Sequence, residues 1–390
     1  MTTPVDVETV ASIHDVEPAC WNRLVGPDAF YQSHGWLASV ERDRTARPRY
    51  LLALAGGRLA GALPVYLQLG EHRSFYAADR FRALLGIGGD YLLAGARRGF
   101  RSTILRDPGA PPEAQDGIDR ALLGAALDAA REGGLRGVVI PFTPLRELER
   151  VGRVLPVRAT YDSADAVIAG ASAGLEVLLN GIPGKRRYTS RKEERTYAAA
   201  GWRTGVERLG ECLADAARLV ALVEQRHGQP THDFLVRRLF RWQMTAVQPE
   251  AAVLTCRHAE GDLVGCAVNY PWRDMLYNHA VGLDYARLRD SYEYFNLMIY
   301  GAVRHAAASG LDRVHLSIAT RAKLQRGAVA RPLWTGALLL DDRRARPGVS
   351  VVDPDGMRRH MADLGEFRHA FQSRDWAPSF GQASAAARAD

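Results

Sequence analysis

The sequence predicts an α/β protein of two units, each a mixed, twisted sheet flanked by helices. Three observations carry that prediction. Helical and strand-like segments alternate along the chain, with a hairpin signal near the front of each half, the pattern of mixed sheets covered by helices. Two short motifs recur: Gly57-Arg58-Leu59-Ala60-Gly61 returns as Gly261-Asp262-Leu263-Val264-Gly265 at an offset of 204, and Gly134-Leu135-Arg136-Gly137-Val138 returns as Gly310-Leu311-Asp312-Arg313-Val314 at an offset of 176. Finally, 390 residues with 47% apolar side chains suit two cores, since domains run to roughly 150–200 residues. The expected units are 1–180 and 181–390.

Residues 5–25 read as helix, and Phe30–Val40 leads from a loop into a short helix. Tyr50–Ala55 and Leu59–Leu67 alternate as strands around Gly56-Gly57, a hairpin. Residues 66–76 read as a strand end and loop. The glycine cluster of Leu84–Tyr91 lacks both the Lys-Ser/Thr ending of a phosphate loop and the G-x-G-x-x-G spacing, so it reads as a connection. Residues 117–132 place Ile118, Leu122, Leu123, Ala126 and Leu127 on one helical face, and Gly137–Phe142 follows as strand. A strand at 165–168 and a short helix at 175–179 complete the first half. The second half reads as helices at 214–227 and 232–247, strands at 251–257, 263–270 and 275–281, a helix from Tyr292 to Ser309 capped by Asp290-Ser291, and a strand to Ile318. The last twenty residues read as a frayed tail.

Between the halves, Pro183 opens a basic helix, Gly184-Lys185-Arg186-Arg187-Tyr188-Thr189-Ser190-Arg191-Lys192-Glu193-Glu194-Arg195. Arg187, Arg191 and Arg195 recur every fourth residue and so stack along one helical face. The charge is lopsided: residues 1–180 carry a net −1 and residues 181–390 a net +8, of which +5 lies within 181–210. Such a patch suits a polyanion, RNA or a nucleotide pyrophosphate, and it also suits a solvated helix face.

Composition excludes several classes. No apolar run approaches the roughly 18 residues of a membrane span. Residues 1–10 carry Asp6 and Glu8 with no basic start, so no secretory signal is expected and the cytoplasm is the expected compartment. Cys20, Cys212, Cys256 and Cys266 are scattered without a metal-binding or disulfide spacing, so no metal site is expected. No G-x-S-x-G elbow or partnered cysteine offers a covalent nucleophile.

Three motifs carry a family resemblance over most of residues 30–335: Gln32-Ser33-His34-Gly35-Trp36-Leu37 followed by Gly57–Pro64, the basic run Lys185–Arg195, and Gly282-Leu283-Asp284-Tyr285 through Gly310-Leu311 to Leu316–Lys323. With them the chain resembles the GNAT-fold acyltransferase superfamily and, more narrowly, FemAB-like tandem-GNAT proteins. The resemblance implies two GNAT-like units and amide-forming acyl transfer, with aminoacyl-tRNA as donor and an amine on a peptidoglycan precursor or secondary-metabolite intermediate as acceptor. No tightly bound cofactor is implied. Two departures stand out. Relatives often carry a Tyr-Lys pair after the last core strand, where this chain has Ala322-Lys323. The glycine-rich acetyl-CoA loop is replaced by Arg287-Leu288-Arg289-Asp290-Ser291-Tyr292; glycines there would let backbone amides close on a pyrophosphate.

Acyl transfer to an amine needs a proton route, polarisation of the carbonyl oxygen, and positioning. Strand alternation puts Tyr277 and His279 on one face, as proton-relay candidates, and Asn278 on the other. His315 and Ser317 share a face of the last strand and, with Asn278, are candidates for substrate binding. Lys323 is a candidate for the acyl oxygen or a phosphate, joined by Arg326. Lys185, Arg186, Arg187, Arg191 and Arg195 are the expected grip on donor phosphates. Two other readings stay open: an acyl-CoA N-acyltransferase whose basic helix holds the CoA phosphates, and a non-catalytic RNA- or precursor-binding protein.

Overall fold

A computed structural model describes residues 4–70, 75–365, 367–371 and 374–376. The expected tail lies almost wholly outside these residues, as does part of the expected 66–76 loop. The chain forms two compact units: one of residues 1–164, 331–363 and 372–390, the other of 165–330 and 364–371. The chain passes between the units at 164/165, 330/331, 363/364 and 371/372, where a single boundary at 180/181 was expected.

The crossings at 164/165 and 330/331 fall inside strands. The strands, in chain order, are β1 (Val5–Val10), β2 (Ala46–Ala55), β3 (Arg58–Gln68), β4 (Leu92–Ala94), β5 (Leu105–Arg106), β6 (Gly137–Thr143), β7 (Pro156–Ala169), β8 (Arg203–Arg208), β9 (Ala252–Arg257), β10 (Leu263–Trp272), β11 (Met275–Leu283), β12 (Arg313–Ile318), β13 (Val329–Leu339) and β14 (Gly348–Val351). β7 and β13 each carry a crossing. The expected strand at 165–168 is only the end of β7, which begins at Pro156.

The first unit orders its strands β1-β2-β3-β4-β6-β13-β7, with β5 on β3 and β14 on β7. The second orders them β7-β12-β11-β10-β9-β8. Taken from the opposite end, β8 to β12 repeat β1, β2, β3, β4 and β6. Each copy is a meander of antiparallel strands followed by one helical crossover into a parallel strand: β4 to β6 through Pro112–Glu132, and β11 to β12 through the helix 293–308. A parallel neighbour requires such a crossover.

The repeated motifs do the same work in both copies. Gly57 and Gly261 turn their hairpins at positive φ. A Cβ on Gly61 would stand 2.3 Å from Ile118 on the crossover helix of the first unit. One on Gly265 would stand 2.9 Å from Leu297 on the crossover helix of the second. Gly134 and Gly310 end those helices at φ +67 and +68, the left-handed stop that glycine adopts without a steric penalty.

Two segments depart from expectation. Val5-Asp6-Val7-Glu8-Thr9-Val10 is strand, paired with β2, and helix in the 5–25 stretch is confined to Pro18–Leu24 and one short turn; alternating β-branched residues outweigh the weak helical pattern. The second departure is the helix Ala78–Leu85, which was not expected; its left-handed cap is Gly86, and the glycines that follow form the connection expected there.

Candidate active site

The parallel pair of the second unit is short. Only Met275, Leu276 and Tyr277 register with Arg313, Val314 and His315. Beyond that point β12 meets β7 irregularly between His315 and Ile318, with Ser317 at φ +64, and β10 bulges opposite β11 between Val268 and Asn269. Irregular backbone at a strand end re-aims side chains. Most of the sequence candidates gather around this parting.

His315 is fully buried. Its Nε2 lies 3.2 Å from Asp165 Oδ2, which is equally buried, and the Ser317 amide donates to its Nδ1 at 3.3 Å. An acceptor at Nδ1 leaves the proton on Nε2, so the ring donates to the carboxylate. The Tyr277 ring lies against His315 with centroids 5.0 Å apart. Tyr277 pairs across the sheet with Tyr270, whose ring also meets His279 at 5.8 Å. Tyr277 and His279 thus share a face, as alternation predicts.

His279 is the bulged residue, between Asn278 registered to Asn269 and Ala280 registered to Val268. It is half-buried. Gln243, on the helix Asp233–Ala246, approaches its Nε2 at 3.4 Å and accepts from the Tyr270 hydroxyl at 2.6 Å. Burial pushes the His279 imidazole down to about 4, so it is neutral at neutral pH.

Lys323 lies just past β12 with its ammonium turned back onto it. Nζ donates to the carbonyls of Leu316 at 2.6 Å and Ile318 at 2.8 Å, flanking Ser317. An ammonium has three N–H groups, so one remains. Burial lowers this lysine to about 8.

Two candidates leave the site. Asn278 lies on the other face, its amide donating to the Met298 carbonyl of the 293–308 helix at 3.3 Å. That carbonyl belongs to a π-helical stretch, Asn296–Gly301, where irregular turns free backbone acceptors. Arg326 is not positioned for a phosphate. Its guanidinium forms a bidentate pair with the buried carboxylate of Glu193, donates to Ala322 O at 2.7 Å, and lies 3.3 Å from the Phe295 ring centroid. The Tyr300 hydroxyl donates to the same carboxylate. Nothing in the sequence singles out Glu193; the fold makes it the inner anchor of the basic helix.

The basic helix is Gly184–Ala199, burying Ser190, Glu193 and Tyr197. The expected Arg187–Arg191–Arg195 ladder is divided in use. Arg187 donates to Asn180 O, and Arg191 pairs with Glu176 at 2.8 Å. Arg186 lies over the Phe367 ring at 4.1 Å. Lys185, Lys192 and Arg195 are exposed, and Arg195 has no ion partner among the described residues. With Thr196, Ala199, Ala200, Arg289 and Ser291, Arg195 lines an open cavity of about 490 Å³. Arg289, missed from sequence, stacks on Trp202 at 4.5 Å and donates to Ala200 O. Its signal was its place just ahead of the 293–308 helix, in the segment that replaces a glycine loop.

At the start of that helix the expected Asp290-Ser291 cap is absent. Tyr292 holds the cap position in the left-handed region with no side-chain bond. Instead the buried Glu293 reaches back and accepts from the amides of Arg289 (2.9 Å) and Ser291 (3.1 Å) and from the Ser291 hydroxyl (2.8 Å).

The first unit has the corresponding parting between β4 and β6, but its own loop closes it. Ser102 donates its amide to Phe142 O at 3.0 Å and accepts from the Ala96 amide at 3.0 Å. Its crossover helix begins Pro111-Pro112, which removes two of the amides a phosphate would use.

All four cysteines are free, and Cys212, Cys256 and Cys266 are buried. Burial raises the Cys212 and Cys256 thiols to about 12 and about 11, unsuited to nucleophilic work. No group of acidic, His and Cys side chains among the described residues could hold a metal. No helix among them is long and apolar enough to cross a membrane.

Residues 184–323 match the family described as acetyltransferase (GNAT) domain. Among solved structures, the chain is similar to FemX, at 12% identity and TM-score 0.57, over 86% of this chain and 98% of that one. It is likewise similar to a conserved protein of unknown function from Bacteroides thetaiotaomicron, at 12% identity and TM-score 0.54, over 87% of this chain and 100% of that one. A tandem GNAT protein from the clavulanic acid biosynthesis pathway aligns at 15% identity and TM-score 0.49, over 85% and 98%. No curated protein matches the chain by sequence.

Proposed function

We propose that this protein, whose residues 184–323 match the acetyltransferase (GNAT) domain family and whose chain shares the fold of FemX, transfers an aminoacyl group from a charged tRNA to an amine acceptor, and that transfer occurs in the second unit where β11 and β12 part. The observation that carries the choice of donor is Glu293. Its carboxylate occupies the amides of Arg289 and Ser291 at the helix start, where a CoA pyrophosphate would need donors and would meet a negative charge instead. The neighbouring cavity at Arg195 and Arg289 is open and cationic, which suits the backbone phosphates of a nucleic acid.

In this reading the acceptor's amine nitrogen attacks the carbonyl carbon of the aminoacyl ester. The C–N bond forms, the carbonyl oxygen takes up negative charge, and the remaining N–H of Lys323 stabilises it. The tetrahedral carbon collapses with cleavage of the C–O bond to the tRNA ribose. His279 accepts the amine proton at Nε2 as that nitrogen leaves the Gln243 amide, and returns it to the departing ribose oxygen. Asp165, His315 and Tyr277 form the buried support that fixes β12 against β11. Acceptor amines on a peptidoglycan precursor or a secondary-metabolite intermediate both satisfy this chemistry.

A second reading, an acyl-CoA N-acyltransferase, is favoured by the acetyltransferase description of the matched family. Complete RNA digestion separates the two. In a coupled lysate with labelled amino acid, ATP and acyl-CoA, ribonuclease is expected to abolish product. Product that still forms from acyl-CoA overturns the tRNA reading. A non-catalytic binding role predicts that Lys323→Ala and His279→Ala leave product formation unchanged.

A further inference from the structure

The first unit holds a cavity of about 460 Å³ that the transfer chemistry does not use. Its walls come from the 24–29 loop, the 101–108 segment, Gln115 of the crossover helix, and the first turn of the helix Leu145–Val154. Four arginines line it: Arg101, Arg106, Arg146 and Arg150.

The carboxylates on the same walls are already engaged. Glu147 accepts from the Ile104 amide at 2.9 Å and from Arg106, which also pairs with Asp119. Asp107 accepts from Arg23 and pairs with Arg58, and Asp28 pairs with Arg331. Arg146 is exposed and Arg150 half-buried, and neither has an ion partner among the described residues. Arg101 brings a buried side chain to the cavity from a residue at φ +68. A non-glycine residue holds that conformation at a cost that packing must offset, and such residues gather at binding sites. The helix start adds to the field. Pro144 provides no side-chain cap, so the amides of Leu145 and Arg146 lack an intrahelical acceptor beside the arginines.

We propose that this cavity binds a phosphorylated small molecule of nucleotide size. Two uncommitted guanidinium groups, a third on a strained residue and a helix start together match a dianion with several acceptor oxygens. The volume lies within the range of small-ligand pockets and exceeds what a lone phosphate fills.

The test uses the full chain and two probes, inorganic pyrophosphate and adenosine 5′-monophosphate, with adenosine as the uncharged control, by isothermal titration calorimetry. At least one phosphorylated probe is expected to bind and adenosine is not. The double variant Arg146→Ala/Arg150→Ala removes one exposed and one half-buried side chain without an ion partner among the described residues, and is expected to unfold near the wild-type temperature while binding at least roughly tenfold more weakly. Arg146→Ala alone serves if the double variant fails to fold. Arg195→Ala, in the other unit, is expected to bind like wild type. Absence of binding by either probe at millimolar concentration overturns the proposal, as does unchanged affinity in the arginine variants. Loss of binding in Arg195→Ala instead would assign the probes to the second unit and overturn it equally, without bearing on the donor.

Discussion

Lys323 and Glu193 are both charged groups in the interior of the second unit, and their partners differ in kind. Glu193 is matched by Arg326 in a bidentate pair and by the Tyr300 hydroxyl. Glu193→Ala leaves a buried guanidinium without its anion, and about 3–5 kcal/mol of stability is expected to be lost, read from urea unfolding. A loss under about 1 kcal/mol, the size of an exposed pair, would mean the pair is not the anchor described. Lys323 has only carbonyl dipoles as partners, and burial moves it from an ordinary 10.5 to about 8. The sign follows from proton binding: between pH 8 and 10.5 the unfolded chain holds the proton that the folded chain has released, so this residue's contribution to stability rises with pH across that window. Activity moves the opposite way. If the ammonium stabilises the developing oxyanion, kcat falls as pH rises through about 8, and Lys323→Arg shifts that falling limb upward beyond the measurable range. An unchanged limb in the arginine variant would remove Lys323 from the chemistry. For His279, neutral above about 4, His279→Ala is expected to lower kcat by about 10²-fold or more, within the usual span of general base catalysis.

At the scale of elements, the basic helix is a two-faced device. Its inner face docks through Glu193 and Tyr197, its flank is tied to Glu176 and Asn180 through Arg191 and Arg187, and its far end presents Arg195 to an open cavity. Arg195→Glu is therefore expected to raise the donor KM and flatten its salt dependence, while Arg187→Glu has the smaller effect on KM. Equal effects would mean that the helix acts as an undifferentiated charge. The ladder of three arginines was legible in the sequence because helical spacing is local. Which arginine is left over was not, because Glu176 and Asn180 belong to a different helix. The same division explains the rest. Both hairpins, both crossover helices and the two strands that follow them were legible, since each rests on periodicity and on glycine stops at Gly134 and Gly310. Strand β1 was not, because six alternating residues acquire their preference from pairing with β2. The end of β12 was legible as strand. The bulge that singles out His279 was not, nor was the turning back of Lys323 onto Leu316 and Ile318; both depend on contacts between elements. Arg326 was misread for the same reason: a guanidinium in sequence carries no sign of the carboxylate that will bury it.

At the scale of the molecule, two units share one strand order and one pair of repeated motifs, yet the first ties its own loop across its parting strands. In the first unit Ser102 and Phe142 close the corresponding gap, and Pro111-Pro112 removes helix-start amides. The common framework predicts a common sensitivity. Gly61→Ala and Gly265→Ala each push a methyl toward a crossover helix, so each is expected to lower the unfolding temperature, Gly61→Ala at a cost of about 1–3 kcal/mol of stability and Gly265→Ala at a smaller cost, since it meets the ends of the Leu297 and Leu283 side chains. A neutral result at one site alone would break the structural equivalence of the two copies. The proposed division sets donor and transfer chemistry in the second unit and a phosphate-bearing ligand in the first.

The identity of the donor is the claim on which the rest depends, and direct binding tests it without knowledge of the acceptor. The measurement is thermal unfolding of the purified chain with charged tRNA or with acetyl-CoA, repeated on Arg195→Glu. Charged tRNA is expected to raise the unfolding temperature of the wild type, Arg195→Glu to lose most of that rise, and millimolar acetyl-CoA to have no effect. Stabilisation by acetyl-CoA with none by tRNA would contradict the aminoacyl-tRNA donor.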